Sequence, residues 1–137
     1  MQTVTSKDGS RIAYDRYGSG PAVILVGGAL GNRKFKKMEE LTQLLTERCT
    51  VLNYDRRGRG DSTEAKPFAL EREIEDIQTL IEAEGGSASV WGWSSGGALT
   101  LHGWAPASAS SGCPSTRCRS WSHPRPSGRP GLRRAAR

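Results

Sequence analysis

The chain has 137 residues, of which 35% are hydrophobic and 25% are charged, and its formal net charge is +6. This length allows one modest domain, and no apolar run approaches the ~18 residues that a spanning helix needs, so we do not expect a membrane protein. Three cysteines and a first segment without an apolar signal region argue against a disulfide-bonded secreted protein and favour a cytoplasmic one.

The positive charge is concentrated near the end of the chain. Residues 1–101 contain 13 Lys and Arg against 14 Asp and Glu, a net charge of −1. Residues 102–137 contain seven Arg and no acidic residue, a net charge of +7, and Leu132 is their only large aliphatic residue. Such a segment buries too little apolar surface to offset its ordering entropy. We therefore expect a folded domain over 1–101 and a disordered basic tail over 102–137.

The chain opens with the pattern of a β-hairpin. Two weakly alternating segments lie on either side of Asp8-Gly9, a pair that is typical of tight turns between strands. Three short apolar segments follow, and the first of them is continuous enough to be a strand buried on both faces, as in a parallel sheet. The predicted strands cover residues 3–6, 11–17, 22–26, 50–54 and 87–91.

Helical patterns lie between and after these strands. Apolar residues at helical spacing predict a helix over 35–45, with Asn32 as its candidate cap, and another over 70–81 that Gly85-Gly86 ends. A third helix begins near residue 98. Strands that alternate with helices indicate βαβ units, so we predict an α/β fold, a three-layer sandwich with a mostly parallel sheet. Ligands of such sheets bind beyond the carboxyl ends of the strands. We therefore expect the functional residues in the three loops that follow strands 22–26, 50–54 and 87–91.

The third of these loops, residues 92–96, matches the G-x-S-x-G pattern of a nucleophilic serine, with Ser94 at its centre. The pattern alone is weak evidence for a catalytic serine, but here a predicted strand precedes it and a helix follows it. A sharp strand-to-helix turn exposes the serine hydroxyl and directs a helix N-terminus at developing negative charge. We interpret Ser94 as the candidate catalytic nucleophile, and an ordinary Gly/Ser turn is the alternative.

The first and second loops are rich in glycine and arginine. Gly27-Gly28-Ala29 would supply a backbone N–H that forms an oxyanion hole together with the N–H of Ser95. A plain flexible turn is the alternative, and the spacing of a phosphate-binding loop is not met. Residues 55–62 hold three arginines beside glycines. They would suit an anion site, but we favour a structural turn whose arginines pair with nearby carboxylates.

Residues 1–101 resemble the N-terminal part of an α/β-hydrolase. Three motifs in the right order carry the resemblance: Gly27-Gly28 after a buried strand, Asp55-x-Arg57-Gly58-x-Gly60-x-Ser62, and Gly92-x-Ser94-x-Gly96. The resemblance implies an esterase-like serine hydrolase that acts on a small ester-like or acyl substrate without a metal or organic cofactor. It implies Ser94 as the nucleophile and Gly28, Ala29 and Ser95 around the oxyanion hole. Dehalogenases and epoxide hydrolases of this fold use Asp at the elbow, so the serine argues against both.

The partners of this candidate nucleophile are not evident. In the α/β-hydrolase family the catalytic base and acid follow the serine along the chain. After Ser94 this sequence has no Asp or Glu, and its histidines are His102 and His123. His102 lies two turns into the helix that follows the serine, and His123 lies in the tail. We therefore predict very low or no turnover for this chain.

Other interpretations of the tail stay open beside a solvated disordered segment. Its Arg-, Pro-, Ser- and Trp-rich composition is typical of a GC-rich gene read out of frame, and one choice of codons for 112–124, read from the third base, encodes LPVDALPVLEPP. Its arginines and Trp121 would suit RNA or anionic lipid, so a non-catalytic nucleic-acid-binding protein is the alternative function, although we do not expect a nucleic-acid partner. Cys113, Cys118 and His123 form an incomplete zinc set.

Overall fold

The computed structural model describes residues 1–104, and its elements follow the predicted order. The strands are β1 (Gln2–Thr5), β2 (Arg11–Tyr17), β3 (Ala22–Val26), β4 (Thr50–Tyr54) and β5 (Ser89–Gly92). The helices are α1 (Lys36–Leu45), α2 (Leu70–Ala83) and α3 (Ser95–Trp104). A hairpin therefore precedes three strands that alternate with three helices.

The hairpin turns at the predicted pair, Asp8-Gly9. Gly9 has a φ of +85°, a conformation that glycine adopts without a steric penalty. The Asp8 carboxylate accepts a hydrogen bond of 2.9 Å from the Ser10 N–H, and the Ser6 N–H donates to the Ser10 carbonyl at 2.8 Å. These local bonds fix the antiparallel pairing of β1 with β2.

All five strands form one sheet in the order β1-β2-β4-β3-β5. The β4–β3 and β3–β5 pairings are parallel, whereas β1–β2 and β2–β4 are antiparallel. The sheet is mixed because the hairpin adds its own pairings to the predicted parallel part. Since β3 lies between β4 and β5, the carboxyl ends of these three strands are neighbours. The three loops singled out in the sequence therefore meet at one edge of the sheet.

The sheet carries a hydrophobic core on each face, which gives the three layers of the predicted sandwich. Alternate residues of β3 point to opposite faces. Ile24 is buried in a cluster with Ile77 of α2 and Leu99 of α3. Leu25 is buried in a second cluster with Met38 of α1. Helices thus cover both faces, and the prediction of a three-layer α/β fold is confirmed.

Two helix starts differ from the prediction. Asn32 does not cap α1: Phe35 occupies the N-cap position, and the Asn32 carboxamide instead accepts a hydrogen bond of 3.0 Å from the Lys34 N–H. This is an Asx turn, which asparagine favours before a helix as well as at its cap. Helix α3 begins at Ser95 rather than near residue 98. The prediction missed its first turn because the glycines there carry no apolar pattern.

Several expectations concern residues that the structure does not describe. The disorder of the tail, its reading frame, its zinc set and its nucleic-acid-binding surface all lie within 105–137 or depend on it. Within residues 1–104, no helix is both long and apolar enough to cross a membrane. The same residues contain no group of three or more His, Cys, Asp or Glu arranged to hold a metal ion.

Candidate active site

Ser94 lies at the turn between β5 and α3. Its φ is +57°, and it is the only residue other than glycine with a positive φ among residues 1–104. Its side chain is exposed. A left-handed conformation costs a residue with a Cβ roughly 1–2 kcal/mol, so it persists only where the surroundings impose it. Strain at an exposed serine between a strand and a helix is what a nucleophile elbow requires.

Two glycines allow the chain to turn this tightly. A Cβ on Gly96 would lie 2.6 Å from the Gly27 carbonyl oxygen and closer still to that of Val26, and a Cβ on Gly92 would lie 2.5 Å from the Gly96 carbonyl oxygen. Neither space admits a side chain. The Trp93 N–H also donates to the Val26 carbonyl at 3.0 Å. The G-x-S-x-G spacing thus packs the elbow directly against the end of β3.

The loop after β3 reaches the serine. A Cβ built on Gly28 would lie 3.4 Å from the Ser94 Cβ and 3.8 Å from the Ser94 Oγ. The Gly31 N–H donates to the Gly28 carbonyl at 3.2 Å, so the loop folds back on itself. Ala29, in this tight turn, is exposed. The structure therefore brings the predicted Gly28-Ala29 segment beside the Ser94 hydroxyl.

Ser95 is the first residue of α3, and this position determines the surroundings of its backbone N–H. The first N–H groups of a helix have no partner within the helix and lie at the positive end of its dipole. The N–H of Ser95 is one of these groups, one residue from the candidate nucleophile. The Ser95 hydroxyl oxygen accepts a hydrogen bond of 3.0 Å from Nη1 of Arg56. The side chain of Ser95 thus bonds to Arg56, while its backbone N–H has no partner within the helix.

Two of the three arginines after β4 form buried ion pairs, as predicted for a structural turn, whereas the third forms none within residues 1–104. Arg56 pairs with Glu73, and Arg57 pairs with Asp76 and with Asp8. The Arg57 guanidinium holds the pKa of the Asp8 carboxyl well below its ordinary range. Burial raises the pKa of Asp76, while its hydrogen bonds from Arg57 oppose that change. The two acids on α2 were not predicted as partners, although two charges on the buried side of an apolar stripe would have indicated them.

Asp55 organises the rest of the loop after β4. Its carboxylate accepts hydrogen bonds from the Arg33 N–H at 2.6 Å and from the Asp61 N–H at 2.9 Å. It also pairs with the buried Arg33 guanidinium at 3.0 Å and fills the space that a Cβ on Gly60 would need. Asp55 thus links the loops after β3 and β4. No sequence pattern marked Arg33, because its partners come from distant segments.

His102 lies away from the serine. It is exposed in the last turn of α3, eight residues beyond Ser94. At about 1.5 Å of rise per residue, eight residues of helix span about 12 Å. His102 is the only histidine within residues 1–104, and His123 lies outside the described residues. The described part of the chain therefore brings the Gly28-Ala29 loop, but no histidine, to Ser94.

Fold and site together define a three-layer α/β protein with a strained, exposed serine at a strand end. A family model described as the alpha/beta hydrolase family matches residues 22–137. This match covers more than half of the chain, and the chain belongs to the alpha/beta hydrolase family. No curated protein matches the chain.

Solved structures show the same fold. An alpha/beta hydrolase from Sphaerobacter thermophilus is 53% identical with a TM-score of 0.71, over 74% of this chain and 39% of that one. A bottromycin epimerase, solved in complex with bottromycin A2, is 30% identical with a TM-score of 0.66, over 73% and 41%. An esterase from Thermogutta terrifontis is 26% identical with a TM-score of 0.65, over 74% and 39%. The chain spans about two-fifths of the length of these solved relatives.

Proposed function

We propose that this chain is a serine hydrolase in which the Ser94 Oγ attacks the carbonyl carbon of a small ester-like or acyl substrate. The observation that carries the proposal is the exposed hydroxyl of Ser94 at a φ of +57° between β5 and α3. Strained backbone conformations cluster at active sites and at segments that bind ligands. The names of the hydrolase and esterase relatives support the same reaction class.

Two backbone groups stabilise the charge that this attack creates. As the bond between Oγ and carbon forms, the carbonyl electrons move onto its oxygen, which needs hydrogen-bond donors. We assign this task to the N–H groups of Ala29 and Ser95. Gly28, whose missing Cβ would lie 3.8 Å from the Ser94 Oγ, leaves room for the substrate.

The proton of the Ser94 hydroxyl needs an acceptor during the attack. A serine hydrolase normally supplies a histidine for this step, and His102 is too far along α3 to serve. We therefore expect slow acylation by the chain alone. The fold by itself does not decide the chemistry, as the epimerase relative illustrates, so the proposal depends on the serine and its surroundings.

Phosphonylation by a fluorophosphonate probe in the presence of added imidazole tests the proposal. The bond between Oγ and phosphorus forms as fluoride leaves, and free imidazole takes the hydroxyl proton in place of the histidine. We expect labelling at Ser94 whose rate rises with imidazole concentration. The rate should also rise as the pH increases through the neutral range, where free imidazole loses its proton. Intact-mass and peptide mass spectrometry measure both the rate and the site.

Two variants serve as controls. Ser94→Ala should abolish the labelling, whereas Ser87→Ala should leave it unchanged because Ser87 is exposed before β5, at the opposite end of that strand. Labelling that persists in Ser94→Ala, or the absence of labelling at Ser94 even with imidazole, would contradict the proposal. Rapid labelling without imidazole would show instead that the chain already contains a base.

A further inference from the structure

Arg56 has more hydrogen-bond partners than a simple ion pair needs. It follows β4, and its Nε and Nη2 donate to the two carboxylate oxygens of Glu73, the latter at 2.8 Å. The side chains of Arg56 and Glu73 are only 6% and 2% exposed. A bidentate pair of this kind fixes the plane of the guanidinium group. The direction of the remaining nitrogen, Nη1, is therefore fixed as well.

The remaining nitrogen, Nη1, connects two segments that lie next to Ser94 in space. Nη1 donates to the Gly27 carbonyl at 3.1 Å and to the Ser95 hydroxyl oxygen at 3.0 Å. Gly27 begins the loop that leads to Ala29, and Ser95 begins α3. One nitrogen thus holds both backbone segments that carry the proposed oxyanion donors.

The neighbouring pair shows that this bridge is not a general feature of the loop. Arg57 pairs with Asp76 through two nitrogens, and its other contacts are Asp8 and the Arg72 carbonyl. Both pairs join the end of β4 to α2, and both are buried. Only the Arg56 pair extends to the segments around Ser94. The additional bonds of Arg56 reach the loop after β3 and the start of α3, whereas those of Arg57 reach the hairpin turn and α2.

We propose that Arg56, oriented by Glu73, is a positioning residue that sets the distance between the Ala29 and Ser95 N–H groups. The inference rests on the proposed function, because the two groups need a fixed spacing only if they hold one oxyanion. An error of about 1 Å in the placement of such groups is enough to slow a reaction about a hundredfold. Arg56 acts through the backbone and does not itself touch the substrate.

Two variants that remove whole ion pairs separate positioning from stability. Removing one partner of a buried ion pair leaves a charge without compensation, whereas replacing both by apolar residues is often tolerated. Arg56→Met with Glu73→Leu removes the bridge. The matched control is Arg57→Met with Asp76→Leu, combined with Asp8→Asn because Arg57 also pairs with Asp8. Each is made in the full chain, and thermal unfolding checks that it folds. Arg56→Lys is a milder variant, which keeps the charge but loses the planar fork.

Two measurements are compared across these variants. The first is the NMR order parameter of the Ala29 and Ser95 amides, which reports their motion on the picosecond to nanosecond scale. The second is imidazole-assisted phosphonylation of Ser94, separated into the probe's affinity and its maximal rate. In the Arg56/Glu73 variant we expect lower order parameters and a maximal rate reduced at least about tenfold, with affinity little changed. Arg56→Lys should be intermediate, and the matched control should retain both properties.

Several results would overturn the inference. They are equal slowing in the Arg56/Glu73 variant and in its matched control, unchanged order parameters in the Arg56/Glu73 variant, or labelling of Arg56→Lys at the original rate. The last result would mean that a positive charge at position 56 is enough for the full labelling rate, without the planar guanidinium group. If the unsubstituted chain is not labelled at Ser94 at all, the proposed function itself fails, and this outcome is distinct from the other three.

Discussion

Ser94 is a residue at which the proposed reactivity and stability conflict. Its φ of +57° suits glycine better than any residue with a Cβ, yet only a serine provides the hydroxyl. We expect Ser94→Gly to have a free energy of unfolding about 1 kcal/mol higher than Ser94→Ala, since glycine removes the strain. Both variants should lose phosphonylation. Urea denaturation followed by circular dichroism measures the difference.

The comparison with Ser94→Ala is the control, because both variants remove the same hydroxyl. They differ only in the Cβ atom at a left-handed position. If the two variants unfold at the same urea concentration, Ser94 is not strained, and the main observation in favour of a nucleophile elbow is lost.

At the level of elements, the junction of β3, β5 and α3 depends on Gly96. A glycine within a helix normally costs about 1 kcal/mol relative to alanine. Gly96→Ala should nevertheless destabilise the protein by about 2 kcal/mol or more, because its Cβ would meet the backbone oxygens of Val26 and Gly27. Urea denaturation measures this loss of stability.

Gly97→Ala is the matched control for this prediction. Gly97 is the next residue of the same helix, and its Cβ would lie 3.2 Å from the Gly92 carbonyl oxygen, a contact that a small shift relieves. We expect a loss below about 1 kcal/mol. If Gly97→Ala were the more damaging of the two, the close packing of the elbow on β3 would be incorrect.

The elements were predictable from the sequence because their signals are local. The strand 22–26 and the turn at Asp8-Gly9 are encoded within a few neighbouring residues, and the structure has them as predicted. The elbow was predictable for the same reason, since its glycines and serine are adjacent. The start of α1 was not, because Asn32 suits both a cap and an Asx turn.

The ion pairs around the elbow were predictable only in kind. The sequence favours paired arginines after β4, but Glu73 lies 17 residues beyond Arg56 and Asp8 lies 49 residues before Arg57. No local periodicity relates such positions. Their pairing follows from the packing of α2 and the hairpin against the sheet, and the bridge to Gly27 and Ser95 follows from the same packing.

At the scale of the whole molecule, Arg57 joins three parts of the fold. Its guanidinium is completely buried and contacts Asp8 of the hairpin turn at 2.7 Å and Asp76 of α2 at 2.7 Å. Arg57 itself follows β4. Breaking the bond to Asp8 should therefore weaken the attachment of the hairpin turn to α2 and to the end of β4, while the pairing of β2 with β4 is retained.

Asp8→Asn tests this connection and predicts a specific pH dependence. The unfolded Asp8 carboxyl takes up a proton near its ordinary pKa of about 3.8, whereas Arg57 keeps the folded pKa far lower. The ion pair therefore stabilises the fold fully above about pH 4, and its contribution is lost as the pH falls below that value. Asp8→Asn should unfold at a lower urea concentration than the unsubstituted chain at about pH 7 and pH 5, with a smaller difference at about pH 3.

Asparagine retains an oxygen that accepts the hydrogen bond from the Ser10 N–H, so the substitution removes only the charge. Glu40→Gln, on the exposed side of α1, controls for the loss of one negative charge. A difference that grows towards acidic pH, or one that Glu40→Gln reproduces, would show that Asp8 does not hold the hairpin through Arg57.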